Sequence, residues 1–511
     1  MIDSVFDRRH LLTTVGAVSL VLLAAFESLA VTTVMPIITE DLGGRDLYTL
    51  GFAATLAAGA VGMVAGGTLA DRRGPARPLL AAIGVFAAGL ALAGLAATMA
   101  VFIAGRLLQG LGYGAYAVAL NVLVARVYPP ALHPRLFGLF AAAWVVPSLI
   151  GPFAAGLVTD ALSWHWVFLG VLILVALVTP LIVPALRRVT PVVPAPLSTT
   201  DLRRIAAAVV VATAVVTLSL TSSWLLPPTP ADPAVAETAV AETAPARPVL
   251  AETAPTGSTS AETAPGGSTS AGAVSALGAV MLVAVVLAVA ALALRPLLPA
   301  GTLRAARGLP STILVCGAAG AAFFGTEAYL PLLLQDRYGY PAWLSGAVLT
   351  AAALSWALAS DLQGRRFAAA VPHRTVIRLG AALLALGVLT VLATAALRLH
   401  PLVAGAGWLL AGGGMGAMYP RISTAVLAFS APDTQGFNLS AKAIADAAAG
   451  SITLSVTGLI FHSLGTSGFT GALALTTAAG LATLLIANRI TTGHPPLPAP
   501  PPTAGRAEIS L

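Results

Sequence analysis

The sequence predicts an all-α polytopic membrane protein with fourteen transmembrane helices. Three observations lead to this fold class: hydrophobic residues make up 58% of the 511 residues, charged residues make up only 9%, and the mean hydropathy is +0.91. A soluble domain needs roughly a quarter of its surface residues charged, so this chain cannot cover its apolar surface in water. Its high hydrophobicity also excludes a fully disordered chain.

Fourteen apolar stretches reach the length of about 20 residues that a helix needs to cross the hydrocarbon core. They lack the alternation of membrane strands. The first stretch follows Arg8 and Arg9 as a signal peptide would, but it is longer and leads straight into further spans, so we interpret it as the first helix. The predicted spans are 11–38, 47–70, 77–99, 101–127, 136–160, 164–185, 204–227, 273–298, 309–334, 341–361, 375–397, 402–430, 437–463 and 468–489.

The positive charges predict the orientation. With a cytoplasmic N-terminus, 20 of the 27 lysines and arginines fall on the cytoplasmic side, 4 fall outside and 3 lie within spans. Cytoplasmic loops of membrane proteins carry an excess of Lys and Arg, so this bias predicts that both termini are cytoplasmic and that the number of spans is even. We expect a multi-pass protein of the cell inner (plasma) membrane.

An internal repeat predicts the domain organisation. GLGYGAYA from Gly110 matches GGGMGAMY from Gly412 in its glycine spacing, and LADRRG from Leu69 has a counterpart in SDLQGRR from Ser360. Such repeats are typical of transporters. The two spans between the repeats have no counterpart, which indicates six helices, two inserted helices and six helices. The predicted units are an N-terminal six-helix bundle at 1–190, the insertion at 191–300, a C-terminal six-helix bundle at 301–490 and a Pro-rich cytoplasmic tail at 491–511.

The insertion contains a long polar connection at 228–272. It is rich in Ala, Thr, Pro, Gly and Ser, and the letters AETAP recur at Ala241, Ala251 and Ala261. Such a composition cannot bury a core, so we expect a disordered extracytoplasmic loop. We interpret it as a passive insertion, and a tether is the alternative.

Four stretches carry a family resemblance. They are FESLAVTTVMP on the first span (Phe26 to Pro36), GGTLADRRGPARP after the second (Gly66 to Pro78), AGRLLQGLGYGA on the fourth (Ala104 to Ala115) and PSLIGPFAAG on the fifth (Pro147 to Gly156). Together they resemble the major facilitator superfamily, and within it the fourteen-helix QacA/EmrB-like drug:proton antiporters. The resemblance covers the chain outside the loop and the tail, and it implies the fold of that superfamily. The chain departs from the pattern at Glu27, where aspartate is common, and at Pro147, where glycine is common.

The resemblance implies two conformational elements. One is a gating loop formed by Gly67, Asp71, Arg72, Gly74 and Arg77. We expect the Asp71 carboxylate to latch the outward-facing state by bonding a helix N-terminus or an arginine across the half-to-half interface. A tight turn that needs Gly74 is the alternative.

The other element is the antiporter signature of the fifth helix. It consists of Pro147, Gly151, Pro152 and Gly156. These residues permit close packing or a kink that limits ion leak, and plain helix packing explains them nearly as well.

Four ionisable residues fall on helices that, by the resemblance, line the central cavity: Glu27, Arg106, Glu327 and Arg421. A charge at the bilayer centre costs at least ~2.5–3.5 kcal/mol, so each needs an interior, partnered site. We interpret Glu27 as the main proton or cationic-substrate site, Glu327 as the second, and Arg106 as the residue that sets the proton affinity of Glu27. A static buried ion pair is the alternative.

Two further charged residues, Lys442 and Asp446, are spaced i, i+4 and share a helix face. Lys442 is the only lysine of the chain and lies near the cytoplasmic end, which favours a local pair with Asp446 over a coupling site. We expect Arg421 to meet cavity groups, lipid headgroups or Asp446.

These features predict a secondary active transporter that exports a small amphiphilic drug-like compound or metabolite by alternating access, driven by the proton gradient. A lipid or metabolite exporter on the same fold is the alternative, and a sensor that uses the repeat loop is a remote one. The seven histidines form no metal-ligand spacing, which disfavours an enzyme. The chain has no P-loop, which excludes ATP as the fuel. We expect no metal or cofactor, a small-molecule substrate, protons and the lipid bilayer as partners, no nucleic acid, and a monomer.

Overall fold

The computed structural model describes residues 5–7, 10–129, 132–188, 195–225, 268–364, 371–431 and 434–490. Within these residues the chain forms fourteen long α-helices and no β-strand, which confirms the predicted fold class. The helices are α1 Leu11–Asp41, α2 Tyr48–Arg73, α3 Ala76–Gly94, α4 Met99–Val127, α5 His133–Ala161, α6 His165–Leu186, α7 Thr199–Leu225, α8 Ser268–Leu294, α9 Leu309–Tyr338, α10 Ala342–Gly364, α11 His373–Leu397, α12 Pro401–Ala428, α13 Gln435–Ser463 and α14 Gly468–Ala487.

Thirteen of these helices are long and apolar enough to cross a membrane, and a shorter apolar segment, Met281–Leu297, includes the second half of α8. The predicted loop 228–272 is wrong at its end, because α8 already begins at Ser268. The first turn of α8 consists of small polar residues, which a hydropathy criterion does not detect. The rest of that loop and the predicted tail at 491–511 lie outside the described residues.

The sequence repeat corresponds to a repeat in packing. α4 packs on α2 and α3, and α12 packs in the same way on α10 and α11. A Cβ atom at Gly112 would lie 2.7 Å from Cα of Phe86 in α3, and one at Gly414 would lie 2.8 Å from the backbone nitrogen of Leu384 in α11. The matched glycines therefore let three helices approach to backbone contact at equivalent places in the two halves.

Helices α1–α6 form one bundle, the N-terminal bundle, and α9–α14 form the other, the C-terminal bundle. The bundles meet where α2 packs on α13 and where α5 packs on α10. The inserted α7 packs against both α2 and α13, and α8 packs on α7. α9 is the most enclosed span, with 83% of its most apolar window buried compared with 28% for α6.

The helices alternate in direction, which gives the molecule two ends. We call the end where α1 begins and α2 ends the arginine-rich end, and the other end the arginine-poor end. The described hydrogen bonds and ion pairs between the two bundles lie toward the arginine-poor end. There the Tyr48 hydroxyl donates to the Ala328 carbonyl at 2.5 Å, and Arg45 lies 3.8 Å from Asp336. The bundles are thus joined at the arginine-poor end.

Candidate functional site

A buried ion pair lies halfway along α1. Glu27 is 4% exposed, and its Oε1 accepts a hydrogen bond from Nη1 of Arg106, which is 3% exposed. The same nitrogen donates to Oε1 of Gln109 at 2.9 Å, and Nε of Arg106 donates to the Gly51 carbonyl at 3.2 Å. The predicted partnership of Glu27 and Arg106 is therefore present, and it ties α1, α4 and α2 together.

This network is nearly complete. Among its polar side-chain atoms, Nε2 of Gln109 is buried with no hydrogen-bond partner in the described part of the chain. A buried charge pair is tolerated when hydrogen bonds satisfy its remaining donors and acceptors. The Arg106 guanidinium can therefore keep the Glu27 carboxylate ionised. The two side chains can separate only if another group neutralises that carboxylate.

Glu327 differs from Glu27 in having no partner among the residues that the structure describes. It is 8% exposed on α9, and the described residues offer it no hydrogen bond or ion pair. Gly320 and Phe324 share its helix face, at spacings of seven and three residues. A Cβ atom at Gly450 of α13 would lie 3.8 Å from Phe324 and 3.4 Å from Leu56 of α2. This face of α9 is therefore turned toward the seam between the two bundles.

A row of aromatic rings extends from this face into the C-terminal bundle. The ring of Phe323 lies 5.7 Å from Phe324 and 5.3 Å from Trp356, which in turn lies 5.3 Å from Tyr419. Trp408 stacks on Phe323 at 4.5 Å. Trp408 and Phe323 are buried in the core, whereas Phe324, Trp356 and Tyr419 are partly exposed. Aromatic faces attract cations and apolar groups, so these three rings can contact an amphiphilic molecule.

The row ends at a second polar cluster. The Tyr419 hydroxyl donates to Oδ1 of Asp446 at 2.6 Å, and Nζ of Lys442 lies 4.9 Å from the centre of the Tyr419 ring. Lys442 and Asp446 share a face as predicted, but no direct ion pair between them is present among the described residues. Instead, Tyr419 contacts both residues. Sequence reasoning did not identify Tyr419, although it lies in the second glycine repeat.

Arg421 lies apart from this cluster. It is 8% exposed, and its Nε donates to Oε1 of Gln363 at 2.9 Å, while its Nη1 lies 3.5 Å from the Val371 carbonyl. These partners belong to the end of α10 and to the connection that follows it. The structure therefore places Arg421 at the arginine-rich end and does not bring it together with Asp446.

The predicted gating loop joins α2 to α3 at the arginine-rich end. Gly74 has a φ of +79°, a conformation that favours glycine. Asp71 and Arg77 are exposed, and the expected latch from Asp71 to the C-terminal bundle is not formed among the described residues. Arg72 instead lies 2.8 Å from Asp201 of α7.

A Cβ atom at Gly67, the first residue of this set, would lie 3.2 Å from Val118 of α4. Gly67 therefore lies in the contact between α2 and α4, and it serves packing as well as the loop.

The predicted signature of α5 lies partly at the seam between the bundles. A Cβ atom at Gly156 would lie 3.0 Å from Cα of Trp343, and one at Gly346 would lie 2.7 Å from the Pro152 carbonyl. Pro152 and Gly156 thus bring α5 into backbone contact with α10.

The other two signature residues, Pro147 and Gly151, are buried. A Cβ atom at Gly151 would lie 3.6 Å from Phe26 of α1, which is an ordinary contact. Gly151 therefore packs inside the N-terminal bundle.

Among the described residues, no group of three or more His, Cys, Asp or Glu side chains is placed to hold a metal ion. The polar groups of the site are instead the carboxylates of Glu27, Glu327 and Asp446, the cations of Arg106 and Lys442, the Gln109 amide and the Tyr419 hydroxyl.

Comparison with known proteins places this geometry in context. A family model described as the Major Facilitator Superfamily matches residues 17–452. Multidrug resistance protein 3 of Bacillus subtilis (strain 168) is 34% identical over 148 residues, which are 29% of this chain and 29% of that protein. Multidrug transporter protein MdtP of the same organism is 32% identical over 162 residues, which are 32% of this chain and 30% of that protein. The chain thus aligns with less than a third of the length of these curated relatives.

A crystal structure of a POT family transporter in complex with 5-aminolevulinic acid matches 94% of this chain and 96% of its own, with a TM-score of 0.62 and 14% sequence identity. At that identity the likeness concerns the fold alone.

Proposed function

Because the chain belongs to the Major Facilitator Superfamily, we propose that it is a secondary active transporter that exports small amphiphilic compounds in exchange for protons. Two similar proteins bear multidrug names, which supports a drug-like cargo. The protein would work in the plasma membrane as a monomer with both termini in the cytoplasm, so the arginine-rich end would be the cytoplasmic one.

The observation that carries this proposal is the contrast between two buried carboxylates. Glu27 is already neutralised by Arg106, whereas Glu327 has no partner among the described residues. An ionised carboxylate without a partner is costly inside a membrane, so Glu327 needs a proton or a cationic cargo to neutralise it. Competition between the proton and the cationic cargo for the Glu327 carboxylate is a direct way to couple their opposite movements.

This contrast ranks Glu327 above Glu27 as the exchanging group in the present conformation, the reverse of the ranking expected from the sequence. Glu27 exchanges later in the cycle, when Arg106 moves away. The bundles are joined at the arginine-poor end, so cargo and protons reach Glu327 from the arginine-rich end. Rocking of the bundles would then expose the same groups to the other side.

The test is transport in proteoliposomes with an acidic interior, using the fluorescent cation ethidium as the probe. We expect gradient-driven accumulation by the wild type. A hydrogen bond between the charged Glu327 carboxylate and the cargo is worth roughly 1.5–3 kcal/mol. Because Glu327→Gln removes this charge, the variant should lower the uptake of ethidium by about tenfold or more. Glu40→Gln is the matched control, because Glu40 is exposed at the end of α1.

Uptake that does not depend on the gradient, or full gradient-driven uptake by Glu327→Gln, contradicts the proposal. Glu27→Gln should also lose gradient-driven uptake, because a glutamine amide cannot take up the proton that the Glu27 carboxylate exchanges after Arg106 moves away.

A further inference from the structure

The inserted helix α7 lies across the seam between the two bundles. Along its second half, Oγ of Ser219 lies 2.6 Å from Oγ of Ser455 in α13, and the Ser455 hydroxyl also lies 3.2 Å from the Val215 carbonyl. Polar contacts between membrane helices are specific, so this part of α7 is attached to the C-terminal bundle.

At the arginine-rich end, α7 is attached to the N-terminal bundle as well. Nη2 of Arg72, the gating-loop arginine at the end of α2, lies 2.8 Å from Oδ2 of Asp201. The backbone N–H of Ala195, four residues before α7, donates to the Arg72 carbonyl at 3.1 Å. Arg72 thus binds the insertion with both its side chain and its backbone.

One turn further along α7, a contact is made to the C-terminal bundle. The Arg204 guanidinium lies 4.8 Å from the centre of the Phe437 ring, near the start of α13. Asp201 and Arg204 are three residues apart and therefore lie about 5 Å from each other on the helix. A single rigid turn of α7 thus contacts α2 on one side and α13 on the other.

The turn is itself well formed. The Ser198 N–H donates to Oδ2 of Asp201 at 3.0 Å, and the Asp201 N–H donates to Oγ of Ser198 at 3.1 Å. This is a reciprocal capping arrangement that fixes the start of the helix. Asp201 therefore has two separable roles, one in the cap and one in the ion pair with Arg72.

From these contacts we propose that Asp201 and Arg204 are positioning residues that hold the arginine-rich ends of α2 and α13, and that α7 is a strap that favours the conformation described here. The inference rests on the proposed alternating access. When the arginine-rich ends of α2 and α13 move relative to each other, one rigid turn cannot keep both the Arg72 and the Phe437 contact. Each contact therefore stabilises the present separation of these ends and opposes their closure.

The test measures this separation directly. Spin labels are attached at Ala125→Cys and Ser440→Cys, two exposed positions at the arginine-rich ends of α4 and α13, in a Cys316→Ala background. Electron–electron resonance then gives the distribution of distances in the full chain, without cargo or a pH gradient. Asp201→Asn removes the charge but keeps an oxygen that can cap α7.

A partly exposed ion pair contributes little to the free energy of a conformation. Asp201→Asn should therefore raise the population of the shorter distance between the two spin labels, relative to the longer one, by about two- to fivefold. Arg204→Gln should shift this distribution of distances in the same direction, and Asp201→Glu, which keeps the charge, should show the wild-type distribution. Asp160→Asn is the control, since it removes an exposed carboxylate at the arginine-poor end.

A wild-type distribution in Asp201→Asn, or an equal shift in Asp160→Asn, refutes the strap. This outcome is distinct from failure of the proposed function. The distances can shift as expected in a protein that shows no proton-driven uptake, and they can stay unchanged in one that does.

Discussion

At the scale of single residues, the rarity of charge inside the spans was the most informative property of the sequence. A charge inside a span needs a partner or a function, which singles out Glu27, Arg106 and Glu327, and all three are buried in the structure. The sequence does not single out Tyr419 and Asp201. Their residue types are common near membrane surfaces, and their importance depends on partners far away in the chain, which one sequence does not reveal.

The pair of Glu27 and Arg106 leads to a prediction about stability. Arg106→Gln leaves the Glu27 carboxylate buried without a cation, and removing one partner of a buried pair costs about 3–5 kcal/mol. The double variant Glu27→Gln/Arg106→Gln removes both charges and should be more stable than this single variant. The measurement is the thermal unfolding midpoint of the purified protein in detergent.

Arg126→Gln serves as the control for this experiment, since Arg126 is an exposed arginine on the same helix. A double variant that is less stable than Arg106→Gln would show that the Glu27 carboxylate does not depend on Arg106 for its neutralisation.

At the scale of helices, the sequence predicted which helices exist better than it predicted where each helix begins and ends. Each span is a long apolar stretch, so fourteen helices could be counted from hydropathy. Their ends could not, because helical turns also form from polar residues, as at the start of α8 at Ser268. Helix neighbours were predictable only where the glycine repeats indicated close contacts. The contacts of α7 with α2 and α13 had no such signal.

The glycine repeats give a prediction at this scale. A methyl group at Gly112 or Gly414 would overlap a neighbouring backbone, so Gly112→Ala and Gly414→Ala should each lower stability by about 1–3 kcal/mol. Gly84 of α3 is the control, because a Cβ atom there has nothing within 4 Å. Gly84→Ala should be neutral or slightly stabilising, since alanine favours a helix. Thermal unfolding compares the three, and equal midpoints would contradict the assigned packing.

At the scale of the whole molecule, fourteen helices of alternating direction place the α3–α4 and α8–α9 connections at opposite ends. Exposed positions in these connections, Ala97 and Ala300, therefore belong on opposite sides of the membrane. In a Cys316→Ala background, Ala97→Cys should react with an impermeant maleimide in intact cells, whereas Ala300→Cys should react only after the cells are permeabilised. Labelling of both positions from one side would refute the alternation of the helices or the orientation inferred from the arginines.

The glycine contacts within each half also determine where movement can occur. Helices that touch backbone to backbone have no spare volume into which they can slide, since packed interiors deform by discrete steps. The α3–α4 and α11–α12 contacts therefore make each half a stiff block. The halves also touch backbone to backbone where α5 meets α10, so displacement must concentrate along the rest of their border, where the thickness of the side chains sets how far one half can turn against the other.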